Sequence, residues 1–172
     1  MTIRDAGPAD AAACVGIYAP YVQETAISFE AEPPAAQEMQ RRINAAQQAH
    51  AWLVLVVDEH VPGYAYGGPY KTRHAYRWAC EVSVYLDRGR HRRGGGRALY
   101  EALLPRLAAR GYLTAVAGMT LPNDASAGLH AALGFEPVGT YRRIGYKLGA
   151  WHDVAWVQLS LAPAADPPAE SH

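Results

Sequence analysis

Cysteine is nearly missing from this chain: Cys14 and Cys80 are the only two in 172 residues. So sparse a pair excludes a disulfide-built scaffold and reads as two reduced thiols, Cys14 in a helix and Cys80 on the apolar face of a strand. Net charge is missing too, since 16 Lys and Arg balance 16 Asp and Glu. No overall field then draws the chain to nucleic acid or to an anionic membrane, and neither is expected as a partner. No apolar run approaches the roughly 18 residues that a membrane span needs, and the N-terminus lacks a basic stretch followed by an apolar one. The expectation is a soluble, cytoplasmic protein. There is no internal repeat. His74, His91 and His152 read as surface or packing residues, and no spacing among them suits a metal, so none is expected.

What is present is the patterning of one domain, set at residues 1–161, before a Pro/Ala-rich tail at 162–172 with little to bury. Ile3–Arg4 reads as a short strand, and Gly7-Pro8-Ala9-Asp10 starts a helix with Val15, Tyr18, Ala19 and Val22 on one face. A loop carrying Phe29 leads to a second helix marked by Met39, Ile43 and Ala46. Ala51 to Val57 and Val61 to Gly67 form a hairpin in which Pro62 marks a bulge or an edge. Leu99, Leu103 and Leu107 line a helix that Pro105 should kink or restart. A strand from Tyr112 to Met119, a helix from Ala125 to Leu133, and two β-rich segments, Phe135 to Lys147 and Asp153 to Leu161, complete the chain. This order indicates a mixed α/β fold around one sheet that is not doubly wound.

The stretch from Cys80 to Tyr100 organises the rest. Cys80, Val82, Val84 and Leu86 alternate with Glu81, Ser83 and Tyr85, so period-two geometry sets a carboxylate opposite an apolar row. The loop His91-Arg92-Arg93-Gly94-Gly95-Gly96-Arg97 then opens a helix, and main-chain N–H groups at a helix N-terminus cradle phosphate. The same residues also read as a flexible turn with a solvated arginine face. Glu81 by itself reads first as an ordinary strand carboxylate paired with an arginine. Lys71 and Arg73, in the loop from Gly68 to Tyr76, can hold an anion or form a mobile basic surface.

The His91–Gly96 loop resembles the acetyl-CoA loop of the GNAT superfamily of N-acetyltransferases, Q/R-x-x-G-x-G/A, except that His91 takes the first position. Asn123-Asp124-Ala125-Ser126 through His130 to Gly134-Phe135 resembles the second cofactor motif of that superfamily. Ser28-Phe29, Gly68 to Arg73, Ala75-Tyr76, Glu81, Leu121 to Asp124, His130 and Trp151 to Val154 bring the chain nearer to phosphinothricin N-acetyltransferases and their methionine sulfone or sulfoximine relatives. The resemblance implies an α/β (α+β) fold: a central mixed, mostly antiparallel sheet, flanked by helices and splayed at its central strands. It implies acetyl-CoA as cosubstrate, held by Arg92, Arg93, Gly94, Gly95, Gly96, Arg97, Asn123 and Ser126, with main-chain groups of Val84, Tyr85 and Leu86 at the thioester.

It further implies Glu81 as general base for the α-amino group of a small anionic amino-acid analogue, and a homodimer. His130 stands where many superfamily members carry a Tyr acid, and it can serve as acid, as base with Glu81, or as a structural residue. Ser126 and His130 share one helical face, with Leu129 and Leu133 on an adjacent face expected to be more buried. Lys71, Arg73 and Tyr76 would grip the acceptor's anionic groups and Phe29 would wall it. Trp151 and Val154 shape the pocket or the dimer contact, or are plain core. Two other readings stay open: a different amine acceptor (polyamine, aminoglycoside or protein N-terminus), and a nucleic-acid-binding module using Arg88 to Arg97. Lys71 and Arg73 disfavour polycationic acceptors.

Overall fold

A computed structural model describes residues 1–90 and 94–163 of the chain. His91, Arg92 and Arg93 of the expected phosphate loop, and all but the first two residues of the expected tail, lie outside the described residues. In chain order the elements are β1 (Thr2–Asp5), α1 (Ala11–Glu24), α2 (Ala36–Ala49), β2 (Trp52–Val57), β3 (His60–Pro69) and β4 (Ala79–Leu86). They continue with α3 (Gly95–Ala109), β5 (Thr114–Thr120), α4 (Asp124–Ala132), β6 (Glu136–Lys147) and β7 (Ala150–Ser160). The strands make one seven-stranded sheet in the order β1-β2-β3-β4-β5-β7-β6, antiparallel throughout except where β4 meets β5.

Strand alternation divides the apolar side chains between two faces. On one face Leu53, Leu55, Ala65, Cys80, Val82 and Ala115 pack against Leu99, Leu103 and Leu107 of α3. These three leucines are fully buried, a gain of about 1.5–3 kcal/mol each. On the other face Trp52, Val54 and Tyr64 pack against Cys14, Tyr18 and Val22 of α1 and Met39 and Ile43 of α2. Glu81, Ser83 and Tyr85 face this second side, opposite the Cys80 row.

Two prolines resolve differently from one another. Pro62 sits where the β2–β3 register shifts between Leu55 and Val57, and β3 lies inside the sheet, so the bulge holds and the edge does not. Pro105 does not restart α3, which runs unbroken from Gly95 to Ala109. Pro105 and Glu101, whose carbonyl loses its usual partner, both lie on the exposed side, where water can satisfy the carbonyl. The last hairpin is longer than its sequence pattern indicates. Leu148 and Gly149 take φ of 52° and 76°, a tight primed turn that lets β7 begin at Ala150.

Candidate active site

β4 and β5 pair only at Ala79↔Thr114, Cys80↔Ala115 and Glu81↔Val116, and then part. Between them opens a cavity of about 860 Å³ whose walls include Val82 to Leu86 and Ala117 to Thr120. Which main-chain groups face it follows from hydrogen-bond phase. Asp87 N–H donates to the Pro62 carbonyl (2.8 Å), and in the unbroken β3–β4 register this turns the amides of Ser83 and Tyr85 toward β3. Val84 and Leu86 therefore turn theirs to the cavity. By the same logic, Leu121 N–H donating to the Asp153 carbonyl (2.9 Å) leaves Gly118 and Thr120 facing it from β5. Of these groups the Leu86 carbonyl is already taken, by the Tyr21 hydroxyl (2.7 Å). Two strands with unspent donors and acceptors are a slot for an extended chain that carries amides of its own. Tyr85 lines the cavity with its N–H spent in the ladder, so the main-chain contact expected of it falls to its neighbours.

Two helices close the slot. α3 starts with Gly94 at φ 73°, a left-handed conformation that glycine adopts without strain. Gly95 and Gly96 have a different use: a Cβ would come within 2.8 Å of Leu55 Cδ2 at the first and 3.3 Å of Leu129 Cδ2 at the second. They let the helix N-terminus settle on the sheet, and its first amides, free of any side-chain cap, point to the cavity mouth as an anion site. Arg97 lines the same mouth and pairs with Glu101 (2.7 Å).

α4 is capped by Asn123, whose Oδ1 accepts from the Ser126 amide (3.1 Å). On it His130 is the buried residue, 2 % exposed, whereas Leu129 and Leu133 are only half-buried. The expectation that the leucines hold the more buried face is thus reversed, because His130 turns toward Tyr100 and Phe135 beneath the cavity. His130 Nδ1–H donates to the Ser126 carbonyl (2.7 Å), which assigns the proton to Nδ1 and leaves Nε2 as an acceptor. Tyr100, from α3, donates its hydroxyl to that Nε2 (3.3 Å). Burial pushes the imidazole pKa down and the Tyr100 phenol up, so both are neutral near pH 7.

Known proteins match this chain in sequence and in fold. Residues 3–156 match the acetyltransferase (GNAT) domain family. The chain belongs to this GNAT family. It is 41 % identical over 167 residues to a phosphinothricin N-acetyltransferase of Streptomyces viridochromogenes, covering 97 % of this chain and 91 % of the relative. It is 34 % identical over 170 residues to an L-methionine sulfoximine/L-methionine sulfone acetyltransferase of Pseudomonas paraeruginosa, covering 97 % and 98 %. A GNAT-superfamily phosphinothricin acetyltransferase of Sinorhizobium meliloti, solved with acetyl-CoA, superposes with a TM-score of 0.92 at 32 % identity, covering 99 % of this chain and 92 % of that one. The mixed, mostly antiparallel, centrally splayed sheet is the GNAT fold expected of the sequence.

The remaining residues singled out in the sequence lie outside the cavity walls. Glu81 is half-buried on the last rung that β4 shares with β5, opposite Gly68, where open space takes the place of a side chain. Burial raises its carboxyl above the ordinary carboxylate range, and the Lys71 ammonium offsets part of that rise. No arginine pairs with it among the described residues. Lys71 stands 5.1 Å from the Tyr70 ring centre; Tyr70 meets Tyr76 edge-on at 5.6 Å and Trp156 at 6.0 Å. The Trp156 indole in turn covers Gly118, so this cluster borders the β5 wall of the slot.

Arg73 is exposed, and its carbonyl accepts from the Tyr76 amide (3.0 Å). Phe29, 45 % exposed, lies on the β6–β7 hairpin over Gly145. Trp151 is exposed beside Tyr146 and Arg143 and is not core. The sequence pattern missed Tyr100, Gly118 and Thr120. A phenol on the inner stripe of α3 reads as packing, and its partner is thirty residues away.

Proposed function

We propose that the protein transfers the acetyl group of acetyl-CoA to the α-amino group of phosphinothricin or of a related anionic amino-acid analogue such as methionine sulfone or sulfoximine. The observation that carries this reading is the half-buried Glu81, without an ion-pair partner among the described residues and raised in pKa, at the point where the β4–β5 slot opens. Bound acetyl-CoA supplies an activated thioester. Val84 and Leu86 fit its extended arm through their main chain, Gly94 to Arg97 with Arg92 and Arg93 its pyrophosphate, and Asn123 and Ser126 its thiol end.

An ammonium has no lone pair, so the acceptor must lose a proton before it can attack. Glu81 takes that proton, directly or through water, since a desolvated carboxylate is a stronger base than one in solution. A second proton leaves nitrogen as the amide forms, and the departing thiolate takes up one. The Tyr100–His130 pair lies beside this exchange as a donor–acceptor couple, with His130 in the accepting role that its Nδ1–H bond to Ser126 leaves it. Lys71, Arg73 and Tyr76 hold the acceptor's anionic groups, and Phe29 walls its stem. The same two cations argue against polycationic acceptors.

A single domain over residues 1–161, working in the cytoplasm as a homodimer, completes the proposal. Exposed Tyr141, Ile144, Tyr146, Leu148 and Trp151 on the β6–β7 hairpin offer an apolar surface for the second copy. The test is thiol release from acetyl-CoA with a panel of phosphinothricin, L-methionine sulfone, free amino acids and spermidine. Turnover with the first two is expected. Acceleration by spermidine alone would move the acceptor elsewhere, and none with any amine would overturn the reading.

A further inference from the structure

The segment between α1 and α2 carries Phe29 and has no regular structure, so its shape must be set from outside. At its start Thr25 Oγ1 donates to the Tyr21 carbonyl (2.6 Å) and accepts from the Ile27 amide (3.1 Å). At its end Arg42 of α2 holds both oxygens of Glu30 (2.7 and 3.2 Å). Between these ties Lys147, the last residue of β6, reaches across from the hairpin. Its Nζ donates to the carbonyls of Val22 (2.6 Å) and Ser28 (2.5 Å). Lys147 forms no ion pair among the described residues, and its ammonium is spent on main chain.

The contacts around it all bear on Phe29. The Phe29 ring lies so close on Gly145 that any Cβ there would overlap it, and the His152 ring centre is 6.3 Å away. His152 donates from Nε2 to the Lys147 carbonyl (2.9 Å), which fixes the strand end from which the lysine reaches. Ser28 Oγ bonds to the Tyr18 hydroxyl (2.6 Å), and the Tyr18 ring meets Tyr85 of β4 edge-on at 4.9 Å. One lysine thus ties the hairpin to a segment that leans on the Glu81 strand.

We infer that Lys147 is a positioning residue for the acceptor: by holding Val22 and Ser28 it seats Phe29 on Gly145 and so fixes the wall of the acceptor site. This rests on the acceptor reading proposed above. The ammonium touches neither the β4–β5 slot nor Glu81, and Thr25 and Ile27, which line the slot from the same segment, keep their own ties through the Thr25 hydroxyl, so its loss should fall mainly on the acceptor.

Lys147→Met keeps the side-chain stem and removes the donors. Steady-state kinetics with phosphinothricin and L-methionine sulfone should show the acceptor KM raised about tenfold, with kcat and the acetyl-CoA KM within about twofold of wild type. Phe29→Ala should cost less in the Lys147→Met background than in wild type, because both act on one wall. Amide hydrogen exchange at Ser28 to Glu30 should quicken in Lys147→Met while exchange in β4 stays unchanged. An unmoved acceptor KM, additive costs, or kcat and both KM values falling together with melting temperature would overturn the inference. If wild type acetylates neither acceptor, the acceptor reading falls by itself. Hydrogen exchange then still decides the role of Lys147, and unchanged exchange overturns it.

Discussion

Across the β4–β5 cleft, Val84 and Leu86 face Gly118 and Thr120 with main-chain groups, and α3 adds amides at its first turn. The groups proposed for the acceptor are, by contrast, side chains from separate places: Lys71, Arg73 and Tyr76 from the loop after β3, with Lys71 acting on Glu81, and Phe29 from the α1–α2 segment, seated on the β6–β7 hairpin. The difference teaches what each half can recognise. Main-chain amides at a fixed spacing read an extended, amide-bearing, phosphate-ended chain whatever residues carry them. Side chains on loops read charge and shape, and one substitution can change them. A donor half of the first kind suits one shared cosubstrate. An acceptor half of the second kind suits a family whose members differ in acceptor.

If that division is real, substitutions should separate cleanly. The largest effect is expected from Glu81→Gln, which removes the base and should lower kcat by about 10²–10⁴-fold. The acetyl-CoA dissociation constant, measured by calorimetry, should stay within about twofold, since Glu81 does not line the slot. Next, Lys71→Met should raise the acceptor KM about tenfold through loss of a charge-assisted contact, again sparing acetyl-CoA. On the donor half, Gly94→Ala forces an L-residue into φ 73°, a strain of about 1–2 kcal/mol. Acetyl-CoA should then bind several-fold more weakly, with the acceptor KM at saturating acetyl-CoA unchanged. Smallest is Asn123→Ala, which removes the α4 cap at a cost of about 1 kcal/mol. Differential scanning calorimetry should record a melting temperature about 2–4 °C lower.

The donor half was the more legible in sequence for a physical reason. Its glycines are dictated by backbone geometry and close packing, Gly94 by its φ and Gly95 and Gly96 by Leu55 and Leu129, and such constraints leave a compact local pattern. Strand alternation likewise set Glu81 opposite Cys80 and Val82 correctly. Groups that act across the chain left no pattern. Tyr100 meets His130 from another helix, and Lys147 reads as the exposed end of a strand until its partners near residues 22 and 28 are seen. Periodicity favours leucine as the inner residue of α4, whereas the cavity floor takes the His130 imidazole. Pro105 does not restart α3, because the Glu101 carbonyl it leaves without its usual partner lies on the side of the helix that faces water.

The most direct test is kcat against pH, at saturating acetyl-CoA and phosphinothricin, for wild type and Lys71→Met. A carboxyl raised by burial works as a base only above its elevated pKa, so activity must be lost as pH falls through that value. The account predicts an acid limb above the ordinary carboxylate range. The limb should move higher still in Lys71→Met, where the ammonium that partly offsets the rise is gone. A limb within the ordinary carboxylate range, or one that does not move in Lys71→Met, would contradict it.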